Sequence, residues 1–248
     1  MKILGDYHTH TIYSHGKGTI LDNAKSAKEK GLKEIAITDH GYGHMFFAIK
    51  RTKINEMIEN IKIAEKETGI KVYYGVEANF TSVKGDIDVT ENELKQLDIL
   101  LVGHHRFVKS KFVDKFKLFL PNLLFKSKVS KKVRERNTNT ILQAMDKYPI
   151  DILTHLNFQM PTDIKRIAQK ARETNTHIEL NEQKMCFSTE EIKTLIEEKV
   201  NFVINSDAHC PQKVGVVNNS YEVIKKYNIP LEQVANLDKL PNFKNIKR

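Results

Sequence analysis

The chain has 248 residues, with 40 Lys+Arg against 31 Asp+Glu and a net charge of +9. Its 40% hydrophobic content, with 12 Phe and 8 Tyr, can bury a sizeable core, which excludes wholesale disorder; 11 Gly and 6 Pro are too few for a collagen-like or linker-dominated chain. No apolar run reaches the ~18 residues of a membrane span, no apolar signal segment opens the chain, and Cys186 and Cys210 cannot build a disulfide framework, so a cytoplasmic location is expected.

In chain order, residues 3–7 predict a short first strand. Residues 21–30 carry helical spacing, and Gly31 is placed to end that helix. Residues 34–38 read as a buried strand. Ile54, Met57, Ile58, Ile61 and Ala64 follow the i, i+3, i+4, i+7 pattern of a helix, closed by Gly69. Strands are predicted at 72–76, 99–102, 150–154, 178–180 and 202–204. Helices are predicted at 162–174, 189–199 and 220–227. Strands alternating with helices argue for parallel pairing and an α/β fold. Seven such units without a linker favour one barrel-type domain over 1–248; an open doubly wound sheet is the alternative.

Residues 106–136 break this rhythm. They hold eleven bases, two acids and five Phe, so the whole excess charge lies in this one amphipathic insertion. Its readings are a basic lid drawing phosphorylated substrates to the site, with Lys109, Lys111 and Lys115 prominent, a solvated surface element, or a membrane-surface contact.

The ten histidines fall in a pattern. His8 and His10 follow the first strand, His40 the second, His104 and His105 the fourth, and His155 the fifth. Glu77 closes the third strand, and Asp207 and His209 follow the seventh. In parallel α/β folds the carboxyl ends of the strands share one face. Six of the seven strand ends therefore present His, Glu or Asp to one place. Any one of these residues is as well explained by packing, but together they point to a multinuclear site for zinc, manganese or iron.

His8-Thr9-His10 with His15, Thr38-Asp39-His40-Gly41, Gly75-Val76-Glu77 and Ser206-Asp207-Ala208-His209 resemble the motifs of the PHP (polymerase and histidinol phosphatase) family, with His105 and His155 at its two remaining positions. The likeness runs from about residue 3 to about residue 217. It implies a distorted seven-stranded TIM-like (β/α) barrel with three divalent ions at the C-terminal ends of the strands. By that resemblance His8, His10, Glu77 and Asp207 hold the first ion. Glu77 bridges to a second ion on His105 and His155, and His15, His40 and His209 hold the third. His105 is preferred over His104 by the family's Gly-x-His pattern. Glu77, Asp207 and His209 are the expected catalytic residues.

The implied activity is hydrolysis of a small phosphomonoester, histidinol phosphate being one candidate, by a hydroxide bridging the metals. The alternative is a nuclease or nucleotide-processing phosphoesterase, and a non-catalytic metal-binding protein is a third reading. Asp6 and Asp39 adjoin ligand positions, but strand alternation points them away, toward structural roles as much as imidazole-orienting ones. His44, Asn181 and Lys213 are candidate substrate contacts. The plainer readings are an exposed loop histidine, a loop cap and a solvated lysine. His177 opens a strand at the end opposite the site and reads as structural.

Overall fold

The computed structural model describes residues 1–125 and 128–246. Lys126, one of the bases of the insertion, lies outside them. Seven strands pair in sequence order and all in parallel: β1 (Gly5–Asp6), β2 (Glu34–Ile37), β3 (Lys71–Asn79), β4 (Ile99–Gly103), β5 (Ile152–Leu153), β6 (His177–Asn181) and β7 (Phe202–Asn205). Helices α1 (Ile20–Glu29), α2 (Ile54–Thr68) and α3 (Glu91–Leu94) cross between the first four strands. The long β4–β5 connection carries α4 (Phe112–Asp114), a π-helical turn (Lys115–Phe119), α5 (Leu120–Phe125) and α6 (Lys131–Lys147). Helices α7 (Ile164–Glu173), α8 (Thr189–Glu197) and α9 (Asn218–Tyr227) complete the wrap.

The barrel closes between β7 and β1 largely through side chains. Asn205 Oδ1 accepts from Tyr7 N at 2.9 Å. Asn236 Nδ2 donates to Gly5 O at 2.9 Å and Ile204 O at 2.7 Å, and its Oδ1 accepts from Ile204 N at 3.0 Å. Above this seam Thr9 and Ala208 form a parallel bridge. The arrangement is a nearly closed seven-stranded barrel and not an open sheet.

Alternation along the strands sorts the core. Ile35, Ile37, Leu100 and Val102 face the helices, while Ala36, Ile99, Leu101 and Val203 face inward. Phe243 and Ile246 from the C-terminal tail join the inner cluster. The edge of Phe243 meets Tyr7 and His177 with ring centroids 4.8 and 4.9 Å apart. The inner surface thus grades from apolar residues at one end to His, Glu, Asp and Asn at the other.

Several elements differ from their predicted extents. β1 and β5 shrink to two residues each. Leu4 N bonds to Asn236 O and Tyr7 N to Asn205 Oδ1, so partners outside the ladder satisfy the residues flanking β1, while beside β5 the Asp151 carboxylate takes the Leu100 amide of β4 at 2.9 Å. Helix α6 has no counterpart among the predicted elements. Its buried face includes Asn137, Thr138 and Thr140 beside Ile141, Ala144 and Met145, which blurs the apolar period. The Asn137 amide is satisfied by Asn122 and Pro161 O. Pro121 has no N–H for Lys117 O; Arg136 Nη1 donates to that carbonyl instead, at 2.6 Å.

Candidate metal centre

The nine candidate ligands converge at the C-terminal mouth of the barrel, around Glu77. One carboxylate oxygen, Oε1, lies 2.8 Å from His155 Nε2, 3.3 Å from His8 Nε2 and 3.4 Å from His105 Nε2. The other, Oε2, lies 2.8 Å from His40 Nδ1 and 3.6 Å from His10 Nε2. Asp207 Oδ1 is 3.3 Å from His10 Nε2 and 3.6 Å from both His8 Nε2 and His209 Nδ1. The His15 ring stacks on His40 at 4.8 Å and sits 4.2 Å from His209.

Three sets bring their donor atoms within 4.8 Å of one another: His10, His15, His40 and His209; His8, His10 and Asp207; His40, Glu77 and His105. His40 belongs to two of them, whereas the family resemblance assigns it to the third ion alone. The atoms also pass a chemical test for a metal. Glu77 Oε2, Asp207 Oδ1, His40 Nδ1 and His105 Nε2 are buried and make no hydrogen bond. Glu77 Oε2 and His40 Nδ1 face each other at 2.8 Å without hydrogen-bond geometry. Such orphaned groups are costly in a protein interior unless a cation takes their lone pairs. The donor set of imidazole and carboxylate suits zinc, manganese or iron.

A second layer fixes the ring orientations. His8 Nδ1 donates to Glu179 Oε1 at 2.7 Å, His105 Nδ1 to Asn79 Oδ1 at 2.6 Å, and His209 Nδ1 to the Asp207 carbonyl at 2.8 Å. An oxygen acceptor requires the proton on Nδ1, leaving Nε2 of each ring with its lone pair. Glu179 is fully buried and also accepts from His155 N, Asn181 Nδ2 and Asn205 Nδ2. Asn79 is held by Asp88 through its backbone and side-chain amides. Sequence reasoning missed Glu179, Asn79 and Lys184, whose Nζ lies 2.5 Å from Asp207 Oδ2. The available signal was period two: His177, Glu179 and Asn181 share one face of β6, as Glu77 and Asn79 do of β3.

Backbone and charge bear the same imprint. His155 and Asp207 have left-handed φ values of 30° and 51°. Residues other than glycine rarely sit there, and functional sites are where such strain is retained. Burial alone would depress the His8 imidazole, but Glu179, Asp207 and Glu77 overcome it and hold its pKa well above the ordinary value. Burial opposes ionisation of Glu77, yet His105, His8 and His40 keep its carboxyl well below the usual range. Burial, assisted by neighbouring imidazoles, brings His15 down to about 3. Burial likewise brings His40 down to about 4, against the pull of Glu77.

The other candidates fall elsewhere. His104 turns away from the cluster and stacks on Phe119, centroids 5.5 Å apart. His44 is not the exposed loop residue of the plain reading. It is buried, stacks on His40 at 4.9 Å, and its Nδ1 accepts from Phe46 N and Phe47 N. The Asn181 amide is committed within the protein, donating to Glu179 and Asp207 and accepting from the amides of Gln183 and Lys184. Lys213 is exposed and shares a cleft of about 390 Å³ with His209 and Lys17. Asp6 holds Ser206 and Gly215, and Asp39 holds Thr11 and Ser14; both carboxylates position loops and touch no imidazole. Lys109 and Lys111 line a groove of about 660 Å³ with Ser82, Lys84 and Asp86, and no candidate ligand lines it. Those two lysines therefore face this groove, which gives no support to their acting in a lid over the cluster.

The model of the PHP domain family matches residues 6–227. A probable phosphatase of Caldanaerobacter subterraneus subsp. tengcongensis is 33% identical over 266 residues, covering 100% of this chain and 93% of the relative. A probable phosphatase of Shewanella piezotolerans is 31% identical over 251 residues, covering 95% and 90%. Among solved structures, the histidinol phosphate phosphatase of Lactococcus lactis, complexed with zinc, L-histidinol and phosphate, superposes with a TM-score of 0.61 at 13% identity. That superposition covers 100% of this chain and 99% of the other and speaks to the fold.

Proposed function

Since the chain belongs to the PHP domain family and is a metal-dependent phosphatase of that type, we propose that it hydrolyses a small phosphomonoester at a site holding three divalent ions. The observation that carries this reading is the set of buried, unpartnered lone pairs of Glu77, Asp207, His40 and His105 facing one centre. His8, His10, His15, His155 and His209 complete the proposed ligand set. When bound, the ions supply a water of lowered pKa and neutralise phosphoryl oxygens.

The chain's own groups do the rest. Glu179, Asn79 and the Asp207 carbonyl hold three imidazoles in the tautomer that presents Nε2. Lys184 Nζ, paired with Asp207 and one-quarter exposed, adds positive charge at the rim. The cleft bordered by His209, Lys17 and Lys213, at about 390 Å³, matches a small ligand better than a polymer. Histidinol phosphate is one candidate substrate, by analogy with the Lactococcus structure.

The test is phosphate release from a panel of phosphorylated metabolites, histidinol phosphate included, by metal-reconstituted protein. Turnover abolished by His8→Ala and by His155→Ala is expected. No turnover on any phosphomonoester defeats the reading. Release of nucleotides from single-stranded DNA, falling steeply with salt, would support the nuclease alternative instead.

A further inference from the structure

Residues 112–125 form a continuous helical stretch with an anchored inner side and an apolar outer one. The inner side is anchored. Leu118 and Phe119 are buried, Asp114 accepts from Val83 N at 2.9 Å, and Asn122 pairs with Asn137. The outer side carries Phe112, Val113, Phe116, Leu120, Leu123 and Leu124, spaced at three and four residues and all exposed. Phe112 is 74% and Leu124 62% exposed, and the rings of Phe112 and Phe116 meet at 4.8 Å. A contiguous exposed apolar patch of this kind marks an interaction surface, and among the described residues nothing covers this stripe.

Charge selects the cover. The stripe is interleaved with Lys115 and Lys117 and follows Lys109 and Lys111, inside a segment that holds the chain's entire net charge of +9. A second copy docking through this face would bring like charge against like charge. A nucleic acid would satisfy the lysines, but Val113, Leu120, Leu123 and Leu124 cannot stack on bases as aromatic rings do. An anionic lipid surface satisfies both features: acyl chains take the aliphatic and phenyl groups, and headgroups take the ammonium groups. We propose that residues 109–125 dock this enzyme onto anionic membranes, with the Phe112–Leu124 stripe inserted at the interface and the lysines on the headgroups. At the mouth of the barrel Phe46 and Phe107 are also exposed, with rings 5.4 Å apart. Next to Phe46, Phe47 stacks on His15 of the candidate centre with ring centroids 4.5 Å apart.

The experiment is vesicle co-sedimentation at physiological salt, with phosphatidylglycerol–phosphatidylcholine vesicles against pure phosphatidylcholine. The full chain is expected to sediment with the anionic vesicles only. The triple variant Phe112→Ser, Phe116→Ser, Leu124→Ser and the triple variant Lys109→Glu, Lys111→Glu, Lys115→Glu should each lose about tenfold or more in retention. Both should keep turnover of a soluble phosphomonoester and an unchanged circular dichroism spectrum. The chain contains no Trp, so Phe112→Trp supplies a mild, single-probe variant whose emission should shift to the blue on anionic vesicles. Four results would overturn the proposal: no retention of the native chain, retention unaffected by the serine variant, a concentration-dependent dimer dissolved by that variant, or single-stranded RNA bound more tightly than vesicles.

Discussion

Glu179 ties four groups of the centre together with one carboxylate. It accepts from His8, from the strained backbone of His155, and from Asn181 and Asn205. Glu179→Gln keeps the shape and removes the charge that supports the His8 imidazole. Metal affinity is expected to fall by about 10–100-fold with the fold intact, read by titration with a competing chelator. His177 illustrates the opposite end of the same strand. It is buried beside Phe243, and burial brings its pKa down to about 4. The unfolded chain takes up a proton near pH 6.5 that the folded chain refuses until about pH 4. Unfolding therefore binds the extra proton in this window, and stability falls as pH falls from about 6.5 to about 4. His177→Phe should flatten the slope of unfolding free energy against pH by up to one proton, measured by denaturant titrations across the window. Eight of the nine candidate ligands were legible because they close or follow the apolar runs read as strands; His15, in the loop beyond, was legible only through the family resemblance. Glu179, inside β6, and Asn79, which ends β3 two residues beyond Glu77, were harder to see because only the folded chain shows which face looks into the barrel.

Among the elements, β4 shows how a strand end sets a ligand. A Cβ on Gly103 would strike the Thr154 hydroxyl and come within 2.8 Å of His155 Cε1. Gly103→Ala should push His155 off Glu77, lower metal content and cost roughly 1–3 kcal/mol by overpacking. Gly69 is the contrast. It ends α2 with φ of 73° and has open space around its Cβ position. Gly69→Ala should cost about 1–2 kcal/mol of backbone strain and leave metal content unchanged, with thermal melts and elemental analysis separating the two cases. Helices with apolar stripes, such as α2, α7 and α8, were readable from their spacing. Helix α6 was not, because buried Asn137, Thr138 and Thr140 are satisfied by partners far away in the chain. The short β1 was overestimated because the Asn205 side chain and the C-terminal region take over the backbone bonds of its flanking residues.

For the whole molecule, closure is the property on which the centre depends. His8 and His10 stand on one side of the β7–β1 seam and Asp207 and His209 on the other, so the cluster exists only if the seam holds. Asn236 spans it with three hydrogen bonds. Asn236→Ala leaves those buried backbone groups without partners and should cost roughly 3 kcal/mol or more, with faster amide exchange at Ile204. The barrel class and strand number followed from alternation and count, but the closing device depends on two asparagines far apart in sequence, with no local pattern. Charge is also a whole-molecule property here: outside the insertion bases and acids sum to zero, so the net excess belongs to that segment and not to the enzyme at large. The central claim is that Glu77 organises a three-ion centre, and the most direct test is the metal-to-protein ratio of reconstituted, gel-filtered protein, native and Glu77→Gln, by elemental analysis. The account predicts close to three ions per native chain and a marked loss in Glu77→Gln; one ion or none in the native chain, or a ratio unmoved by the substitution, would contradict it.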